Sequence, residues 1–500
     1  MAKQTSLFAL MLPPREPGTP ATRWLYGALR TVILEGRLAP GARLPATRDL
    51  ATHYGLSRGT IVNAFEQLKA EGYVEASVGS GTYVGRVLPD RLLQVARPAG
   101  RGPVSPAQRS QPRRFSDFAR RVRPMRSWPG GPTRAFRANQ PALDLFPTTL
   151  WAQVTARRLR RSSLDMLLGC GAMGYRPLQE AVADYLTTSR GVRCGAEQVA
   201  IVSGVQQALD LVARLFLNPG DRVAMENPGY SGATLVFEAV GATVAPVRLD
   251  DEGLTLSDSP LKGARLVYVT PAHQFPLGVS MSLPRRLALL QWARTAGRGA
   301  LIFEDDYDSE YRYSGRPLPA LQGLDRHGQV LFAGSFSKVL FPSLRLGYLV
   351  VPVDLVDRVA ATQSITHRHA PLLEQAVLAD FIAGGHFGRH IRRMREVYAE
   401  RLSVLLECAS QQLAGLLEIS EVEAGLQTVG WLRGGRGMDG EAAARAAAQR
   451  DVEVVPLRRY TRARVAEDGL QLGFAAVDPP EIRRGVQELA VALAGSRSVP

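Results

Sequence analysis

The stretch Gly334-Ser335-Phe336-Ser337-Lys338 puts two hydroxyls and a lysine in one turn, and Arg345 follows seven residues after the lysine. Apolar runs flank it, Val330-Leu-Phe-Ala333 before and Gly347-Tyr-Leu-Val-Val351 after. A lysine so placed can form an imine with an aldehyde while hydroxyls and a guanidinium hold a phosphate on the same molecule. Most Ser-x-Ser-Lys strings are solvated turns, so the reading depends on whether other parts of such a site fall in register.

Those parts must sit on elements that converge. Beyond Asn139 near-continuous apolar runs alternate with helical patterns: Val199–Ser203, Arg222–Glu226, Thr243–Val247, Arg265–Thr270, Ala300–Glu304, Val330–Ala333 and Gly347–Val351 read as strands. Helices are expected between them, for instance Gln206–Leu217 and Leu283–Ala296. Buried strands separated by helices indicate an α/β domain with a mainly parallel sheet covered on both faces. Ligands of such sheets lie beyond the carboxyl ends of the strands. There the chain carries Ser203-Gly204-Val205-Gln206, a glycine opening a helix that can cradle a phosphate. Next comes Tyr230, able to stack on a flat ring, and then Asp305 and Tyr307 in Glu304-Asp-Asp-Tyr307. A carboxylate facing a pyridine nitrogen keeps that ring protonated. Taken singly, these are also an ordinary strand-to-helix turn, a core tyrosine, and an acidic loop or a Mg²⁺ site. Four such signals at successive strand ends, Lys338 last, point to a pyridoxal phosphate pocket.

The chain has 500 residues, 45% of them hydrophobic, with a net charge of +15. That length implies two or three domains, and the charge suits a polyanionic partner. Cys170, Cys194 and Cys408 are scattered in no metal-like spacing, so no metal is expected and a reducing cytoplasm is. No apolar run is long enough to span a membrane.

The first domain is expected over residues 18–86. Trp24–Leu34 has helical spacing, a turn at Leu38–Arg48 leads to a second short helix, and Gly55-Leu56-Ser57 caps a third that buries Ile61, Ala64, Phe65 and Leu68. A hairpin over Gly72–Glu75 and Thr82–Val84 follows. This order is that of a winged helix-turn-helix, whose third helix enters the major groove; a protein-binding three-helix module is the alternative. Residues 87–137 hold twelve arginines against Asp90 and Asp117 and are rich in Pro, Gly and Ser, which predicts a flexible linker. Residues 138–500 form the large domain, with a small subdomain from about 391.

The first domain resembles the GntR-type winged-helix regulators in Gly36-Arg-Leu-Ala-Pro-Gly-Ala-Arg-Leu-Pro-Ala-Thr-Arg48, Leu56-Ser-Arg-Gly-Thr-Ile-Val62 and Gly79-Ser-Gly-Thr-Tyr-Val84. The resemblance implies DNA contacts from Arg43, Thr47, Arg48, Ser57, Arg58 and Thr60, and a wing tip at Gly79, Ser80 and Gly81. The large domain resembles fold-type I, class I/II aminotransferases. That implies Lys338 as the Schiff-base lysine, Asp305 against the ring nitrogen, Tyr307 as donor to the ring hydroxyl and Tyr230 on the ring face. Gly204, Val205, Gln206, Ser335, Ser337 and Arg345 would hold the phosphate, and His273 and Gln274 would be second-layer or effector contacts. The two parts together, with Thr-Pro-Ala-His-Gln-Phe-Pro276, Glu-Asp-Asp-Tyr-Asp-Ser-Glu310 and Ser-Phe-Ser-Lys338, resemble the MocR subfamily of GntR regulators.

This resemblance implies a homodimeric, cytoplasmic, DNA-bound transcription regulator that senses pyridoxal phosphate or its adduct with an amine. The alternative is an active amino-acid aminotransferase carrying a DNA-binding head. Two positions depart from the aminotransferase pattern. Gln471 stands where an arginine would grip a substrate carboxylate, and Cys170 where a neighbouring subunit would lend a tyrosine. A neutral amide cannot make the bidentate charged contact of a guanidinium.

Overall fold

The computed structural model describes residues 11–77, 81–87, 113–125, 130–161, 163–256, 258–297, 299–315, 318–433, 439–464 and 467–495. The chain divides after Arg113 into two units.

In the first unit, helices α1 (Ala21–Leu34), α2 (Thr47–Tyr54) and α3 (Arg58–Ala70) precede strands β1 (Val74–Ser77) and β2 (Gly81–Val84). Leu25, Leu29, Leu50, Ile61, Phe65 and Leu68 close one core. Gly55 ends α2 in the left-handed conformation at φ 62°, which glycine reaches without a Cβ penalty. Ser57 then starts α3, its hydroxyl oxygen accepting from the Thr60 amide at 3.1 Å. The stretch expected as a plain turn before α2 also pairs with the wing: the Leu44 amide donates to the Thr82 carbonyl at 2.8 Å, and Arg43 bridges Tyr83.

The second unit is built on an eight-stranded sheet: β3 (Val199–Val202), β4 (Arg222–Asn227), β5 (Thr243–Asp250), β6 (Gly253–Leu254), β7 (Ala264–Val269), β8 (Leu301–Asp306), β9 (Val330–Ser335) and β10 (Gly347–Val350). Their order is β3-β10-β9-β8-β7-β4-β5-β6. The central pairs run parallel, whereas β10 is antiparallel to both neighbours and β6 is antiparallel to β5. Alternate residues pack on opposite faces: Val223 and Met225 join one cluster and Ala224 another. Helix α5 (Val205–Phe216) follows β3 directly. A 27-residue helix, α6 (His386–Gln412), leads to a four-stranded antiparallel sheet. Its strands are β11 (Leu417–Ile419), β12 (Gln427–Leu432), β13 (Val455–Pro456) and β14 (Gly469–Gly473).

Two expected boundaries move. The small subdomain cannot begin at 391, because that position lies inside α6, which buries Phe387, His390, Ile391, Met394 and Tyr398 along one continuous face. The linker cannot extend to Arg137 either. Ala135 and Phe136 are fully buried, bridging Val452 and Gly473, and Arg137 pairs with Glu453 at 2.7 Å. Asp117–Arg121 is a short helix, α4, capped by Ser116, and Phe118 carries the Arg214 guanidinium 5.5 Å from its ring centre. The rest of residues 88–112 and 126–129 lies outside the described part. No described helix is long and apolar enough to cross a membrane.

Candidate functional site

The sheet brings its ligand-facing groups to one edge because β3, β4, β7, β8 and β9 end on the same side. Gly204 caps α5 at φ 81° and ψ 173°, a conformation closed to other residues. This turn aims the first amides of α5 outward, where Arg345 meets them. Its guanidinium donates to the Ser203 carbonyl at 3.2 Å and makes no ion pair among the described residues. A Cβ on Gly204 would lie 3.8 Å from it. Gln206, in the first turn of α5, has an unpartnered Oε1, and Ser337 an unpartnered Oγ. Ser335 accepts from the Ser337 amide at 3.2 Å and so starts the helical turn that carries the lysine. Amides, a helix N-terminus, hydroxyls and an unmatched guanidinium make an anion site of phosphate type.

Lys338 is the reactive candidate. Its Nζ donates to the Asn139 carbonyl at 2.8 Å. Burial lowers its pKa from 10.5 to about 8, against the pull of Asp308 and Asp305, so a usable fraction is neutral near pH 7. Asp305, 4% exposed, accepts from the Tyr268 hydroxyl at 2.7 Å through Oδ2, while Oδ1 has no partner. Burial pushes its carboxyl up to about 7. A cationic ring N–H is the partner that would satisfy Oδ1 and bring that value down. Tyr307 lies 3.0 Å through its hydroxyl from His273 Nδ1, which also meets Asp308 Oδ2 at 3.0 Å. Burial holds this phenol well above its usual range, so it stays a donor. Tyr230 and Tyr307 both pack edge-on against Phe275, at 5.8 Å.

The structure thus brings Lys338, Asp305, Tyr307, Tyr230, Gly204, Val205, Gln206, Ser335, Ser337 and Arg345 to one edge of one sheet. Gln274 is spent within the wall: its amide donates to the Pro228 carbonyl at 2.9 Å and to Glu226 at 3.2 Å. Gln471 is fully buried on β14 and accepts from the Tyr460 hydroxyl at 2.8 Å. Cys170 is half-buried in the loop after the short helix Leu164–Leu168.

Sequence reasoning missed Tyr268, Asn139, Gln427 and Tyr460. Tyr268 had a signal, since a phenol in the apolar run Leu266-Val-Tyr-Val269 must find a partner. The others arrive from loops and strands hundreds of residues away. Among the described residues no cluster could hold a metal ion.

In the first unit, Arg48, Ser57 and Arg58 are exposed at the starts of α2 and α3, with Thr47 and Thr60 half-buried beside them. Arg43 lies under the wing, where a Cβ on Gly81 would come 2.8 Å from its Nε. Gly79 and Ser80 lie outside the described residues.

A winged helix in the first unit and, in the second, a mainly parallel sheet presenting a lysine, a carboxylate and a phosphate cradle define a DNA-binding protein fused to an aminotransferase-type fold. The comparisons agree: residues 136–489 match aminotransferase class I and II, and residues 22–84 match the bacterial regulatory proteins of the gntR family. The chain is 40% identical over 495 residues, 98% of each chain, to the probable rhizopine catabolism regulatory protein MocR of Rhizobium meliloti. It is 30% identical to the pyridoxine biosynthesis transcriptional regulator PdxR of Corynebacterium glutamicum, over 97% of this chain and 98% of that one. A crystal structure of the α-aminoadipate aminotransferase LysN of Thermus thermophilus, complexed with N-(5'-phosphopyridoxyl)-L-leucine, superposes with a TM-score of 0.68 at 30% identity, covering 76% of this chain and 97% of that one. The chain belongs to the MocR-type subfamily of GntR transcription regulators.

Proposed function

We propose that this protein binds operator DNA through its winged helix and uses its large unit as a sensor. Pyridoxal phosphate held at Lys338, alone or as its adduct with an amine, would set DNA affinity. The cofactor supplies an aldehyde for a neutral lysine and a pyridine ring that withdraws electrons when protonated. The observation that carries the reading is the set of unspent groups at the strand ends: Asp305 Oδ1, Ser337 Oγ and the unmatched Arg345 guanidinium around a lysine brought to about pKa 8. Asp305 would fix the ring nitrogen's proton, Tyr230 the ring face and Tyr307 the ring oxygen. The amides from Gly204 to Gln206, with Ser335, Ser337 and Arg345, would hold the phosphate. His273 would fix Tyr307 through its short contact. On the head, Arg58 and Thr60 would face the major groove, with Arg43, Thr47, Arg48 and Ser57 on phosphates or base edges.

Site occupancy can alter DNA binding only through a different affinity for two states of the protein. A homodimer working in the cytoplasm fits this scheme. Leu164, Leu167 and Leu168 support it, being 77%, 76% and 84% exposed on one short helix, the kind of apolar patch that a second subunit covers. The enzyme alternative is weakened by Gln471, whose neutral amide is engaged with Tyr460.

The test is a gel shift on the DNA upstream of this protein's own gene, titrated with pyridoxal phosphate. Specific binding altered by the cofactor in wild type, and unaltered in Lys338→Ala, is expected. Cofactor absorbance unchanged in Lys338→Ala would overturn the site assignment. Turnover of amino and keto acids at enzyme-like rates would favour the alternative.

A further inference from the structure

The hydroxyl of Tyr307 has more than one neighbour, and together they fix where its proton goes. His273 Nδ1 lies 3.1 and 3.0 Å from the two carboxylate oxygens of Asp308 and 3.0 Å from the Tyr307 hydroxyl. Imidazole and carboxylate are 2% and 1% exposed. The opposite ring nitrogen, Nε2, has no partner, and a Cβ on Gly278 would come 3.1 Å from it. Gly425 leaves the pair its room: with φ at 94°, a Cβ there would come 2.7 Å from Asp308 Oδ2.

A carboxylate only accepts hydrogen bonds. Facing it at 3.0 Å, Nδ1 must carry a proton, because a bare lone pair there would oppose two acceptor oxygens. The other neutral tautomer would also bury an N–H at Nε2 with nothing to receive it. Neutral or charged, His273 therefore presents an N–H at Nδ1 and cannot accept the phenolic proton. A second donor meets the hydroxyl from the small sheet. Gln427 Oε1 accepts from the Asn139 amide at 3.0 Å, which turns the NH₂ end to Tyr307, to which it donates. No further hydrogen bond reaches this hydroxyl among the described residues. Its own proton is left for an acceptor that enters the pocket.

We infer that Asp308 is a positioning residue: through the tautomer of His273, and together with Gln427, it turns the Tyr307 proton away from the protein and onto the ring oxygen of the cofactor, given the reading of Tyr307 as the neighbour of that oxygen. The contact between His273 and Tyr307 thus takes its direction from a carboxylate that touches neither the phenol nor the cofactor.

The test uses the full chain loaded with pyridoxal phosphate and follows the visible band of the bound cofactor against pH. That band titrates as the proton shared by the lysine-linked nitrogen and the ring oxygen leaves. A donor to the oxygen favours the form that has lost it. Tyr307→Phe is expected to raise the apparent pKa of the band by about 1–2 units, the strength of one hydrogen bond to a charged oxygen. Asp308→Ala has two effects of opposite sign. The lost carboxylate charge, which pulls on Lys338, lowers the pKa, and the freed Nδ1 draws off the Tyr307 proton, which raises it. Only the second effect needs the phenol. The shift caused by Asp308→Ala should therefore lie about 0.5–1 unit higher in the chain that keeps Tyr307 than in the Tyr307→Phe chain. Equal shifts in the two backgrounds overturn the inference. Neutron diffraction on wild-type crystals loaded with the cofactor decides it whether or not the variants fold. A deuteron on Nδ1 facing Asp308 and a Tyr307 deuteron aimed at the ring oxygen are expected; a Tyr307 deuteron aimed at His273 overturns the inference. A band that Tyr307→Phe leaves unmoved overturns the reading of Tyr307, and a chain with no cofactor band overturns that of Lys338.

Discussion

The lowered pKa of Lys338 allows a quantitative test of the pocket. With a value of about 8, roughly one lysine in ten is neutral at pH 7; at the ordinary 10.5 it would be about one in three thousand. Only the neutral amine attacks an aldehyde. At pH 7 the cofactor-free protein should therefore capture pyridoxal phosphate faster than a free acetyl-lysine by up to about 300-fold. Burial lowers the pKa, so the advantage is greatest on the acid side. The protein's rate should climb about tenfold per pH unit below about pH 8 and level off above it, while the reference amine keeps climbing, so the ratio shrinks towards one near pH 10. Stopped-flow absorbance on both amines over this range measures the ratio, with Lys338→Ala as the blank. A ratio flat in pH, or covalent capture by Lys338→Ala, would refute the assignment of the lowered pKa to this lysine.

Four other outcomes follow from the geometry. Arg58→Ala removes an exposed side chain at the start of α3 and should cost about 1–3 kcal/mol of operator binding by fluorescence anisotropy, with the melting curve unchanged. Ser57→Ala loses the cap on that helix and should lower the head's stability by about 1 kcal/mol in urea titration; no shift in midpoint would show that the cap contributes nothing. Arg190→Ala leaves Asp306 buried without its 2.7 Å partner, so the large unit should lose about 3–5 kcal/mol, read from the denaturation midpoint. Burial pushes Glu226, Glu304 and Asp305 each up to about 7. Between about pH 4.5 and about pH 7 the folded, cofactor-free chain then holds more protons than the unfolded one, and stability falls as pH rises. Its Tm should drop between about pH 5 and about pH 7.5; a rise would contradict the burial of these carboxyls.

Much of the site was legible because buried parallel strands write long apolar runs, and the first polar residues after each run must lie at the sheet edge. Tyr230, Asp305 and Lys338 were found in that way. What runs do not record is direction: Gly347–Val350 reads like its neighbours but runs antiparallel, which turns Arg345 back towards Gly204. Nor do runs record partnership between distant segments. Asn139 reads as linker edge, and Gln427 as one polar residue in a short strand. Their roles arise from a bond that spans 288 residues. The α6 boundary was missed for a local reason: its basic stretch Arg392-Arg393 resembles a surface start, while the buried positions that prove continuity lie on the other side of the helix.

The burial of Ala135–Arg137 against β14 and Glu453 also sets an order of assembly during synthesis. Among the described residues the head's core lies between Leu12 and Val84, so it can fold as soon as these emerge. The wall that holds Asn139 beside Lys338 needs Glu453 and Gly473, more than 300 residues later. A nascent or C-terminally shortened chain would therefore carry a finished DNA-binding head before it has any site to respond with. Such a chain would occupy operators without being answerable to the ligand.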